Sequence, residues 1–223
     1  NSGPGAATVG APADVPWITS VGATQHDRQW RASVQDLTAE GGATHPDIDG
    51  LAFANATDGS FPIVDAAAFE APLCQTDELT AEQVAGKIVV CDRGGNGRVE
   101  KGQVLAELGA AGMILANDEA SGDSLNADPH ALPAVHITYD DGVELRAWME
   151  SVEGEQGSLS GGEEYIGDDV ADIMAGFSSR GPNGAVELIS PSISAPGVDI
   201  LAANGVANEV SWGFISGTSM ASP

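Results

Sequence analysis

The chain has 223 residues, of which 33 are acidic and 8 basic, for a formal net charge of −25. Repulsion at that charge disfavours nucleic acid and anionic membranes as partners, and no run approaches the roughly 18 apolar residues that span a bilayer. The acid is spread rather than clustered, as suits a surface that stays soluble at high salt or in a secreted setting.

The length allows one large domain or two ordinary ones, with ample chain for a core. After the opening stretches Asn1-Ser2-Gly3-Pro4-Gly5 and Thr8-Val9-Gly10-Ala11-Pro12-Ala13, residues 16–23 are apolar and β-branched between Pro and Gly, which argues a buried strand. Residues 29–73 read as short strands in Gly/Asp/Ala-rich loops, at Trp30–Val34, Leu51–Ala54 and Phe61–Val64. Asp47-Ile48-Asp49-Gly50 lacks the third ligand position and the distal Glu of a calcium loop, and reads as a turn. Asn55-Ala56-Thr57 fits a glycosylation sequon, which matters only in a eukaryotic secretory pathway.

From Leu73 to Ser151 the pattern alternates between strands and helices. Lys87–Cys91, Met113–Ala116 and Pro133–Thr138 are strand-like, residues 98–109 have helical apolar spacing, and a second helix carries Leu145, Trp148 and Met149 behind Asp140-Asp141. Cys74 and Cys91 read either as two buried thiols or as a pair closing a loop worth roughly 3 kcal/mol. Asp92-Arg93-Gly94-Gly95-Asn96-Gly97-Arg98 has two arginines in a Gly-rich loop but no Lys-Ser/Thr, so it reads as a structural turn rather than a phosphate cradle. His130 and His136, taken with Asp123 and Asp128, match no metal spacing, so neither a metal nor another cofactor is assigned. Glu163-Glu164 and Asp168-Asp169 read as solvated linker charge.

Met174–Pro182 is a strand ending in a Gly-Pro turn, and Ser194–Ala203 a β-branched strand after Pro-Gly. Ser216-Gly217-Thr218 is a small-residue turn that delivers one hydroxyl at Ser219, ahead of a Met-Ala-Ser that starts a helix. A Ser in such a run is most often a cap or loop residue. The whole string Gly217-Thr218-Ser219-Met220-Ala221-Ser222-Pro223, however, resembles the nucleophile motif of subtilisin-like serine proteases. Asn1–Gly5 resembles the family's oxyanion-hole stretch, residues 8–13 its S1 wall, and Phe177–Pro182 and Ser194–Ala203 two later segments in the proper order. Gly86–Gly94, Gly109–Asn117 and Leu132–Val135 resemble the protease-associated (PA) domain often inserted in these enzymes.

The resemblance implies an α/β fold: part of a subtilisin-like parallel-sheet catalytic domain interrupted by a mostly β PA domain, a sandwich or barrel with flanking helices. Catalytic pieces are expected at 1–28 and 173–223, connecting strands at 29–73, the PA-like domain at 74–151 and an acidic linker at 152–172. The implied roles are Ser219 as nucleophile, Asn1 in the oxyanion hole, and Gly3, Val9, Gly10, Ala11 and Thr218 at the substrate. Cys74 and Cys91 resemble the disulfide of some secreted members. The family's histidine sits in His-Gly-Thr-His and its aspartate in Asp-Thr/Ser-Gly, and neither motif occurs around the 4 histidines or elsewhere in the sequence. The expectation is an internal piece of a secreted serine endopeptidase, inactive as given, acting on protein or peptide, with the PA domain restricting access by large substrates or mediating self-association. The alternative is a non-catalytic interaction module in a degenerate relative.

Overall fold

A computed structural model describes residues 2–206 and 209–223, of which 204–206 and 209–211 by backbone alone. The elements run β1 (Val21–Thr24), β2 (Arg28–Thr38), β3 (Ile48–Leu51), β4 (Phe61–Asp65), α1 (Ala81–Val84) and β5 (Ile88–Asp92). Then come α2 (Arg98–Glu107), β6 (Gly112–Ala116), β7 (Ala134–Ile137), α3 (Tyr139–Ser151), β8 (Gln156–Leu159) and β9 (Glu163–Ile166). The chain ends with β10 (Ile193–Pro196), β11 (Ile200–Val206), β12 (Glu209–Ile215) and α4 (Thr218–Ala221). It forms two compact units, Asn1–Gln29 with Tyr165–Pro223, and Trp30–Glu164. No helix among the described residues is long and apolar enough to cross a membrane.

The second unit is built on one sheet of order β3-β7-β6-β5-β4-β8-β2-β9, and β3 also pairs with β2. That extra pairing closes seven strands into a barrel, with β9 added outside β2. Strands β4 to β7 are mutually parallel, and the β3–β7, β2–β3, β2–β8 and β4–β8 pairs are antiparallel. The apolar runs Ile88–Cys91 and Met113–Ala116 are buried throughout because successive side chains enter different clusters, as the two-residue period of a strand requires. Ile88, Val90 and Ile114 pack with Val34, Leu145 and Leu159, while Val89, Cys91, Met113 and Leu115 pack with Val84, Leu105 and Cys74.

Cys74 and Cys91 form a disulfide within the latter cluster, with Cα atoms 5.8 Å apart and a sequence separation of 17. Closing that loop in the unfolded chain is worth about 3 kcal/mol. Both arginines of the Gly-rich loop are engaged by the protein itself. Arg93 donates to Asn117 Oδ1 (3.1 Å) and the Ser124 carbonyl (2.9 Å), and Arg98 grips both oxygens of Asp128. Burial alone would raise the Asp128 pKa, but the hydrogen bonds and charge of Arg98 outweigh it and hold the carboxyl low.

His136 on β7 is buried, with Nε2 2.8 Å from Asn117 Oδ1 and Nδ1 accepting the Asn126 N–H at 3.0 Å. Burial, reinforced by Arg93 and Arg98, lowers its pKa from 6.5 to about 3. The unfolded chain therefore binds this proton at a higher pH than the folded one. The stability tied to the neutral ring is complete above about pH 6.5 and is lost as pH falls toward about 3. We expect the drop in unfolding free energy between pH 7 and pH 4, measured by urea titration, to shrink by about 2–3 kcal/mol in His136→Gln.

Several expectations are corrected. The strand expected over 16–23 begins only at Val21, and Trp17 is 80% exposed. Residues 48–50, expected in a turn, lie in β3 because Ile48 packs into the core and the ladder takes up the backbone. The stretch 29–73 supplies β2, β3 and β4 to the same sheet as residues 74–151. The 152–172 stretch, expected as an acidic linker, carries β8 and β9, with Glu163, Glu164, Asp168 and Asp169 exposed. The α/β expectation holds only coarsely: the chain is a mixed-sheet protein with a seven-strand barrel and few helices. Barrel closure settles the sandwich-or-barrel alternative, since pairing β2 with β3 leaves no second sheet.

Candidate active site

In the first unit β1 and β10 pair in parallel, from Val21 opposite Ile193 to Thr24 opposite Pro196. The core here is made of small side chains: Ala23, Ala175, Val198 and Ala221 pack together, so α4 approaches the strands closely. Gly197 sits in this close approach. A Cβ there would stand 2.7 Å from the Gly217 carbonyl oxygen and 2.8 Å from Ala23 Cβ. The Gly217 N–H donates to the Gly197 carbonyl at 2.7 Å, fixing the turn before α4. Gly197→Ala is therefore expected to cost about 1–3 kcal/mol through displaced backbone, read as a lower thermal midpoint.

Ser219 stands in the only turn of α4 with its side chain exposed, while Ala221 on the same turn is buried. The turn is held by Met220 N–H donating to the Gly217 carbonyl (3.1 Å) and by a reciprocal pair one step earlier. There the Asp199 N–H donates to Ser216 Oγ (2.9 Å), and Ser216 Oγ–H donates to Asp199 Oδ1 (3.0 Å). Asp199 is buried and has φ 50°, a left-handed conformation unusual for a non-glycine residue. This positioning pair was not picked out in the sequence; the hint available was an Asp after Pro-Gly, facing a Ser ahead of the turn.

Beside Thr218 lies a cavity of about 330 Å³. Thr8 to Ala13 form one wall, and Ser2, Ser20, Ser178 and Ser179 also line it. None of its lining residues is ionisable. The wall is anchored from behind: Thr8 N–H donates to the Arg180 carbonyl (2.9 Å), and the Arg180 N–H donates to Thr8 Oγ1 (2.9 Å). Gly3 donates to the Phe177 carbonyl (3.2 Å), and its Cα lies so close to the Ser178 carbonyl that no side chain fits. Among the residues expected at the substrate, Val9, Gly10, Ala11 and Thr218 line this cavity, whereas Gly3 supports it from outside. Asn1, expected in the oxyanion hole, lies outside the described residues.

His26 is the one histidine of this unit, and it is not arranged as a base for Ser219. Its Nδ1 accepts the Arg28 N–H at 3.0 Å, and its Nε2 lies 3.5 Å from the Asp199 carbonyl oxygen. His45, His130 and His136 belong to the second unit. No cluster of three or more His, Cys, Asp or Glu suited to a metal occurs among the described residues.

The PA domain family matches residues 59–145. Subtilisin-like protease SBT5.4 of Arabidopsis thaliana is 38% identical over 210 residues, covering 91% of this chain and 26% of that protein. Subtilisin-like protease SBT1.7 of the same plant is 37% identical over 247 residues, covering 100% of this chain and 31% of its own length. Over most of its length the chain is similar to subtilisin-like proteases. It spans between a quarter and a third of the length of these relatives. In this subtilisin-like chain the PA match falls wholly inside the second compact unit, and the segments around Gly10, Gly197 and Ser219 fall in the first. Among solved structures, an aminopeptidase from Aneurinibacillus sp. strain AM-1 gives a TM-score of 0.43 at 21% identity, covering 65% of this chain and 33% of that one.

Proposed function

We propose that these residues are part of a longer, secreted serine endopeptidase in which Ser219 is the nucleophile. The observation that carries this reading is an exposed Ser219 on a rigidly held turn beside an uncharged cavity walled by Val9, Gly10 and Ala11. Ser219 Oγ attacks the scissile carbonyl, a histidine takes its proton and returns it to the leaving amine, and an aspartate orients that histidine. Both partners come from outside these residues, since neither family motif occurs in the sequence. The Asn1 amide and the Ser219 N–H meet the developing oxyanion. The disulfide supports an oxidising, extracellular setting.

The PA unit is proposed to govern access to the cleft or to mediate self-association, because it interrupts the chain between the S1 wall and the nucleophile. A second reading, a non-catalytic interaction module, draws support from the PA match lying within one compact unit. A casein-hydrolysis assay separates the two. The 223-residue chain alone is expected to be silent, and the longer product of the same reading frame active. A silent longer product would favour the module. In an active one, replacing Trp30–Glu164 by a short linker is expected to change the size range of proteins cleaved or the oligomeric state; no change in either would remove the proposed PA role.

A further inference from the structure

The PA unit carries a groove of about 490 Å³ between β4, the turn after it and α3. That volume is within the range of about 300–1,000 Å³ typical of ligand sites. Val64, Phe69 and Met149 give it an apolar lining. Its one basic residue, Arg146, is already committed, with Nε 2.7 Å from Asp65 and Nη2 2.6 Å from Asp92. The remaining carboxylates, Glu150 and Glu155, have no ion-pair partner among the described residues, so the groove is apolar with an uncompensated negative charge. Glu155 is held there through its backbone, whose carbonyl accepts the Ile63 N–H at 2.9 Å.

Building on the interaction role proposed for the PA unit, we propose that this groove is a docking site for a substrate polypeptide segment that places a lysine or arginine next to a bulky apolar side chain. The apolar side chain fills the space between Phe69 and Met149, and the cation lies against Glu150 and Glu155. Charge argues against a second copy as occupant of this groove: with 8 basic residues against 33 acidic ones, a copy has few cations to set against Glu150 and Glu155.

The test is fluorescence anisotropy of the whole 223-residue chain with three short labelled peptides: alternating Lys/Phe-Leu, the same with Gly in place of Phe and Leu, and the same with Glu in place of Lys. The first is expected to bind, and the other two at least tenfold more weakly. Glu150→Gln/Glu155→Gln is expected to weaken the first by about tenfold at low salt. Glu150→Gln alone, at an exposed helix position, keeps the test usable if the double variant unfolds. Equal binding of the Gly peptide would reduce the effect to bulk charge and overturn the proposal, as would affinity unchanged in both variants. A sedimentation equilibrium dimer that Glu150→Gln abolishes would overturn it in favour of a second copy. Binding here involves no hydrolysis, so failure would leave the reading of Ser219 untouched.

Discussion

Ser219→Ala in the longer enzyme is expected to lower kcat by about 10⁶-fold, the scale on which loss of the nucleophile acts in subtilisin itself. The structure gives a reason to expect a chemical defect without a folding defect. Ser219 is exposed, and the turn that carries it is fixed by Gly217, Asp199 and Ser216, none of which needs the Ser219 hydroxyl. KM and the thermal midpoint should therefore stay within experimental scatter of the unsubstituted enzyme. A loss of only tenfold would place the nucleophile elsewhere, and a loss accompanied by unfolding would mean that the turn needs the Ser219 hydroxyl. The useful contrast is Ser216→Ala, which removes a positioning hydrogen bond and should cost far less, since Asp199 and Ser216 touch no reacting atom.

Lys101→Met is the substitution expected to damage stability most. Lys101 on α2 has no exposed surface, and its Nζ donates to the carbonyls of Leu73 (2.5 Å) and Gly94 (2.9 Å) and to Asn96 Oδ1 (2.5 Å). Burial lowers its pKa, with Glu78, Asp92 and Glu100 pulling the other way. Methionine keeps the length of the side chain but strands three buried acceptors, at about 3–5 kcal/mol for the set. For a chain of this size that corresponds to a thermal midpoint lower by about 10 °C or more, measurable by circular dichroism. A fall of only a degree or two would mean that water replaces the ammonium at those oxygens. The segments tethered by Lys101 flank both half-cystines, so the variant should also make the Cys74–Cys91 bridge easier to reduce.

Local pattern made the PA unit largely legible. The buried runs at Ile88–Cys91 and Met113–Ala116 and the helix bearing Leu145 follow from periodicities of two and 3.6. Barrel closure was not legible, because pairing β2 with both its neighbour β3 and the distant β8 is made through backbone groups that carry no side-chain signature. Trp17 failed as a core residue for a different reason: an apolar run states a preference for burial without naming a partner, and this one leaves Trp17 80% exposed. At the candidate site, the string around Ser219 was readable because the chemistry constrains successive residues. The Asp199–Ser216 pair and the serines lining the cavity were not, since residues that meet only in space leave no mark in sequence. Lys101 shows the limit most plainly. A lysine on an amphipathic helix reads as solvated, yet here the helix face it occupies is turned into the unit.

The most direct test of the central claim is covalent labelling. The longer enzyme is treated with a fluorophosphonate, so that Ser219 Oγ bonds to phosphorus and fluoride leaves, and the adduct is mapped by tandem mass spectrometry. A stoichiometric adduct is expected on Ser219, absent from the 223-residue chain alone and from Ser219→Ala. An adduct on another residue, or an active longer enzyme that takes no label at Ser219, would contradict it.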